Sequence, residues 1–247
     1  MSVNRVDPGV PRWRHAFTVI EMIVVALVLS VFVITLMYLY QWITYSYRST
    51  SWKQERTRET EEFWNLLRKN LEEASNIHEE DSVTLDLSIA SCPLHFRTLP
   101  SIPADGSLDG DLMAWVRARM NPATRTSEYK LACRLWVQKR QVFLSIKSLS
   151  MGPVPTSETI PARAFLNDVS GFIVQATPIR QDPSLGDYAD TGGTGVGLII
   201  GTQIEVSILF EPAANTGLGT LRLAQNHKFR VPVEHVVESS GNSSFAY

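Results

Sequence analysis

The feature that most restricts what this chain can fold into is a long apolar run entered at Phe17-Thr18-Val19-Ile20-Glu21. No charged residue occurs from Met22 to Tyr47, and neither glycine nor proline occurs from Arg12 to Cys92. A stretch that apolar, with both helix breakers removed, predicts a helix long enough to cross a bilayer, for which about 20 residues at 1.5 Å rise suffice. The spanning part is expected over residues 17–40, and Tyr38, Tyr40, Trp42, Tyr45 and Tyr47 follow as an aromatic belt at the outer interface. The anomaly is Glu21. A carboxylate inside a spanning helix is costly, so it marks a functional position with a partner.

Charge sets the orientation. Residues 1–16 carry Arg5, Arg12 and Arg14 against Asp7, and Pro8, Gly9 and Pro11 keep them from being helical. Beyond the run, Arg48, Lys53, Arg56 and Arg58 are balanced by Glu55, Glu59, Glu61 and Glu62. The positive-inside rule then leaves the N-terminus in the cytoplasm and exports everything after Tyr47. A cleavable secretory signal would have an apolar region of about 7–15 residues followed by a small residue. Here the small residue, Ala16, precedes the run. Over all 247 residues the net charge is −2, and Lys and Arg are scattered, so no nucleic-acid partner is expected.

The segment Arg14-His15-Ala16-Phe17-Thr18-Val19-Ile20-Glu21-Met22 resembles the prepilin signature of type IV pilins and type II secretion pseudopilins. The resemblance implies a leader of residues 1–16, cleaved between Ala16 and Phe17 by a membrane-embedded prepilin peptidase that then methylates the Phe17 amine. The family usually has glycine before the cut, where this chain has the comparably small Ala16. It also implies an assembly role for Glu21. When subunits stack, the carboxylate of one can face the Phe17 amine of its neighbour, and each charge offsets the desolvation of the other. An uncleaved signal anchor, with Glu21 merely reaching the interface, is the alternative reading.

Organisation along the chain follows from periodicity. Residues 17–47 form the membrane half of one helix, and residues 48–78 its exported half. Residues 49–62 are polar on nearly every side, as expected of a stalk crossing solvent. From Phe63 an apolar stripe returns through Leu66, Leu67, Leu71, Ala74 and Ile77, predicting that this part packs on a sheet and contributes to contacts with partner subunits. After His78 the period changes to two, and residues 79–247 read as an exported β-rich domain. Leu131, Cys133, Leu135 and Val137 are apolar at every second position, and Val142, Leu144 and Ile146 continue the same face across Gln138-Lys139-Arg140, so residues 129–147 predict a hairpin. Further strands are expected near Leu94–Leu99, Val169–Thr177, Ile204–Phe210 and Phe229–Val233. Residues 178–201 and 211–227, rich in Gly, Pro, Asp and Asn, read as loops. Strands in succession after one long helix predict an α+β fold, a long N-terminal helix packed on an antiparallel sheet. The segments Phe165–Phe172 and Phe229–Pro232 are similar to those of J-type pseudopilins and the related W-type minor pilins, which implies a pilin-like domain.

Catalysis finds no support. His15, His78, His95, His227 and His235 fall at no metal-ligand spacing, and no serine lies in a nucleophile-elbow motif. The run Gly192–Gly197 lacks the lysine of a phosphate loop and reads as a flexible loop. Glu79, Glu80 and Asp81 read as a solvated helix end. Asp105, Ser107, Asp109 and Asp111 place oxygen donors at alternate positions, as a calcium loop begins, but Val116 occupies the position of the required bidentate acid, so a pair of Asp-Gly turns is the preferred reading. No metal and no cofactor are expected. The only two cysteines, Cys92 and Cys133, both lie on the exported side, where an oxidising compartment favours a disulfide; two separate buried thiols are the alternative.

The expectation for function is a structural protein. The resemblance implies a minor pseudopilin of the type II secretion pseudopilus tip, spanning the bacterial inner membrane once with its C-terminal domain in the periplasm. Its partners would be the prepilin peptidase, the other minor and major pseudopilins or pilins, and the inner-membrane assembly platform. A W-type minor pilin in pilus assembly, adhesion or DNA uptake is one alternative. An uncleaved bitopic protein with an exported ligand-binding domain is another.

Overall fold

The structure is a computed structural model that describes residues 18–74, 94–120, 127–149, 154–180, 199–219, 221–232 and 236–238. One helix, α1 (Val19–Glu72), runs without a break over 54 residues, as the absence of glycine and proline permits. Two hydroxyls within the apolar part are satisfied by their own helix. Ser30 donates to the Ala26 carbonyl at 2.7 Å and Thr35 to that of Val31 at 2.8 Å. The chain divides into two compact units, Met1–Arg48 and Ser49–Tyr247. Every large apolar side chain described in the first is exposed.

In the second unit the helix buries one stripe at spacings of three and four: Trp52, Arg56, Thr60, Phe63, Leu67, Leu71. Packing on the domain therefore begins at Trp52, and residues 49–62 are not a free stalk. Arg56 and Thr60 hide this from hydropathy. The buried Arg56 guanidinium pairs with Glu59 and approaches Asp168 at 3.9 Å, while the Trp52 indole donates to the same Asp168 carboxylate at 3.0 Å. The Thr60 hydroxyl turns back onto the Arg56 carbonyl. Phe63, Leu67 and Leu71 are 0% exposed, each burial contributing about 1.5–3 kcal/mol, so these three side chains are spent within their own domain, while Leu66 is half-buried. The helix ends at Glu72 rather than at His78. Ala74 already forms a β-bridge with Arg117, whose guanidinium is held by Asn70, Glu73 and Glu158. Ile77, His78 and the Glu79–Asp81 acids lie outside the described residues.

The β-structure forms two sheets instead of one. The larger has strands β1 (Leu94–Phe96), β2 (Gly110–Met120), β3 (Ser127–Gln138), β4 (Gln141–Ser148), β5 (Ile160–Leu166) and β9 (Val236–Glu238), in the order β5-β4-β3-β2-β1-β9. All its pairs are antiparallel except β1 with β9. The smaller has β6 (Val169–Arg180), β7 (Ile199–Phe210) and β8 (Leu223–Val231), antiparallel in that order. A strap links the two: Leu99 and Phe172 exchange backbone bonds of 2.7 Å, and Ile102 donates to the Ser170 carbonyl at 2.7 Å. The hairpin expected over 129–147 is β3–β4, closed at Gln138↔Gln141. Its apolar face (Leu131, Cys133, Leu135, Val137, Val142, Leu144, Ile146) is buried throughout.

Three strands had no expectation. In β2, Leu112 to Val116 are buried on both faces, which erases the alternation that marks a half-exposed strand. β5 contains Pro161 and survives because it is an edge strand. β9 has only three residues. The expected loops are shorter than their composition suggests, since β6 continues to Arg180, β7 begins at Ile199 and β8 begins at Leu223.

Candidate assembly site on the N-terminal helix

The residues singled out by sequence fall into one exposed surface and several scattered positions. In the first unit, the large apolar side chains from Val19 to Tyr47 are between 46% and 77% exposed, with a mean hydropathy of 2.9 in the most apolar window. A cylinder this apolar on all sides cannot face water and is built for lipid or for neighbouring helices. Tyr38, Tyr40, Trp42, Tyr45 and Tyr47 lie on its distal part, all exposed.

Glu21 stands at the other end. Thr18 is the N-cap, and the two residues form a reciprocal capping box. The Thr18 backbone N–H and hydroxyl both donate to Glu21 Oε2, at 2.8 and 3.0 Å, and the Glu21 N–H donates to Thr18 Oγ1 at 3.3 Å. Helix amides left without intrahelical partners are thereby satisfied, and the acid sits where the helix dipole favours it. The capping signature Thr18-Val19-Ile20-Glu21 ahead of an apolar run is visible in the sequence. Among the described residues the bonds to this carboxylate converge on Oε2. Ala16 and Phe17 lie outside the described residues.

The remaining candidates are not brought together. Asp105 accepts from the Ser107 N–H at 2.9 Å, and Asp109 accepts from the Lys139 N–H at 2.8 Å. Asp111 is fully buried and takes the Arg134 guanidinium at 2.6 Å. These carboxylates serve a turn, a hairpin and an ion pair respectively. Gly106, at φ 79°, belongs to the same turn, where a Cβ would come 2.9 Å from the Asp109 carboxylate. Among the described residues no group of three or more His, Cys, Asp or Glu is placed to hold a metal. Cys133 lies on the buried face of β3, where burial pushes its thiol up to about 12. Cys92 lies outside the described residues, as does the Gly192–Gly197 run.

Sequence reasoning missed the charged clusters under the helix, because a buried arginine leaves no hydropathy signal. Arg117 is the largest case, joining the end of α1 to β2 and to the turn at Glu158. Comparison with known protein families and with curated proteins finds no match.

Proposed function

We propose that this chain is a minor subunit of a pilus-like filament, a J-type pseudopilin of type II secretion, with a structural and not a catalytic role. The observation that carries the reading is the N-terminal helix. Its first part is an unshielded apolar cylinder, its second part is fused to an α+β domain, and one carboxylate stands at its start. The basic leader and Ala16 immediately before Phe17 support cleavage at that bond. After cleavage the new amine of one subunit and Glu21 of the next would neutralise each other in the membrane. The peptidase, sister subunits and assembly platform are the partners this role requires, and the exported domain then lies in the periplasm.

Intact-mass measurement and N-terminal sequencing of membrane-extracted protein test it. The expected product begins at N-methylated Phe17, and a chain retaining Met1 or Ser2 refutes the proposal. Glu21→Ala should leave membrane fractionation unchanged while crosslinking to sister subunits falls; undiminished crosslinking removes the assembly role.

One observation favours a second reading. The capping box gives Glu21 a function inside its own chain, as an uncleaved bitopic anchor would use it. The same N-terminal sequencing decides between the two.

A further inference from the structure

The second unit's part of α1 is held to the two sheets by different chemistry. Against the larger sheet, the Trp115 indole donates to the Asn70 carbonyl at 3.1 Å, and Arg117 binds the Asn70 side chain at 3.0 Å and the Glu73 carboxylate at 2.5 Å. None of these three bonds uses a histidine. Against the smaller sheet, Thr57, Trp64 and Arg68 recur along one side of the helix and meet Gln225, His227 and Phe229, which alternate on one face of β8. His227 is the centre of that joint. Its ring stacks on Trp64 with centroids 5.5 Å apart and planes 20° apart, meets Phe229 at 4.7 Å, and places Nε2 2.6 Å from Arg68 Nη2.

A guanidinium is always charged and can only donate, so this contact requires a lone pair on Nε2 and a neutral ring. A proton taken from solvent would land on that same nitrogen, remove the acceptor and set two cations against each other. The elements packed around the ring supply no compensating acid. Arg68 is the charge of α1 that acts on it, β7 places Val206 opposite, and the neighbouring Glu205 is engaged with Lys228 at 3.3 Å. Stacking on Trp64 tolerates either form of the ring, so Arg68 decides the sign. Trp64 itself is 7% exposed and is shielded by this contact and by Phe63 and Phe229.

We propose that His227 is a proton-operated latch: the neutral ring holds α1 on β8, and the protonated ring releases that joint while α1 stays seated on the larger sheet. The opening is local and leaves the β7–β8 ladder and the Asn70–Trp115–Arg117 joint in place. Burial and the Arg68 charge lower the His227 pKa in the closed joint, and the open ring returns toward the ordinary value of about 6.5. Acid therefore favours the open form. Between the ordinary value and the lowered one, the ratio of open to closed should rise by up to about tenfold per pH unit. The inference does not depend on the filament reading, because it uses only contacts within the second unit.

The test is fluorine NMR of the full chain in detergent micelles, with its six tryptophans replaced by fluorotryptophan. Trp64→Phe and Trp115→Phe identify the two resonances that matter by removing them. As pH falls from about 7.5 to about 5, the Trp64 signal should move and gain a solvent isotope shift, while that of Trp115 should not. His227→Gln keeps a neutral acceptor for Arg68 at every pH and should hold the Trp64 signal constant. Arg68→Met removes the opposing cation and should shrink the response. If His227→Gln fails to fold, the two native resonances and Arg68→Met, a change at an exposed position, still decide. A Trp64 signal that ignores pH overturns the latch, as does a Trp115 signal that moves with it, since the opening is then not local. An undiminished response in His227→Gln or in Arg68→Met overturns it equally.

Discussion

Two consecutive residues in the left-handed region, Lys139 at φ 48° and Arg140 at φ 63°, turn β3 into β4. Each such conformation costs about 1–2 kcal/mol for a residue with a Cβ, and hairpins of this kind ordinarily use Asn-Gly. Here neighbouring bonds hold the turn. Asp109 accepts the Lys139 N–H, the Arg140 carbonyl accepts the Val169 N–H at 2.9 Å, and the Arg140 guanidinium reaches Glu211. Lys139→Asn keeps the backbone bond to Asp109 and suits the left-handed region better, so it should raise stability by about 0.5–1 kcal/mol in urea unfolding. Arg140→Gly relaxes the same backbone but loses the Glu211 pair, and should not stabilise. An unchanged or lowered urea midpoint for Lys139→Asn would show that the lysine side chain has a use of its own. The place of this turn was legible because alternating residues flank it. Its type was not, because neither Lys139 nor Arg140 carries a turn signal. Arg117 illustrates the same limit, since it is buried against Glu73 and Glu158, both distant in sequence.

At the scale of elements, the contact between α1 and β8 is both aromatic and titratable. His227 stacks on Trp64 with centroids 5.5 Å apart and meets Phe229 at 4.7 Å. Arg68 donates to its Nε2 at 2.6 Å, which requires a neutral ring. Burial, and then the Arg68 charge, hold the His227 pKa below the ordinary histidine value. A group depressed in this way takes up its proton in the unfolded chain first. Its stabilisation is therefore complete above about pH 6.5 and is lost as pH falls through the lowered value. Burial shifts His95 in the same direction. The urea midpoint should accordingly decline between about pH 7 and pH 5, and His227→Gln should flatten part of that decline. A slope unchanged by His227→Gln would assign the pH dependence elsewhere. The polar character of Gln225 and His227 is also why the first half of β8 resembled a loop: on the face turned toward α1 they meet Thr57 and Arg68 rather than apolar side chains. By contrast β3, β4, β6 and β7 alternate against an apolar interior, and their positions followed from period alone. β2 failed for the opposite reason, being apolar on both faces.

For the whole molecule, burial is distributed unevenly between the two units. No described residue before Trp52 is buried, while the hydrophobic core, from Trp52 to Val231, lies entirely within Ser49–Tyr247. The first unit therefore contributes an apolar surface that needs lipid or partner helices, and nothing to the core of the second. The expected consequence is that a chain starting at Ser49 folds by itself. It keeps Trp52 and Arg56, the first helical residues that pack on the domain, and with them the bonds to Asp168. Released from the apolar first unit, it should be soluble without detergent, elute as a single species in gel filtration and unfold cooperatively in urea. The start point matters. A chain beginning at Phe63 would lose Trp52, Arg56 and Thr60, leave Asp168 without either helical partner, and expose the core above it. That shorter chain should be destabilised by several kcal/mol, chiefly through loss of the buried Trp52 indole and its bond to Asp168. If the two fragments unfold at the same urea concentration, the segment from Trp52 to Thr60 is not part of the domain, and the view of α1 as a helix fused to its sheets from Trp52 onward fails.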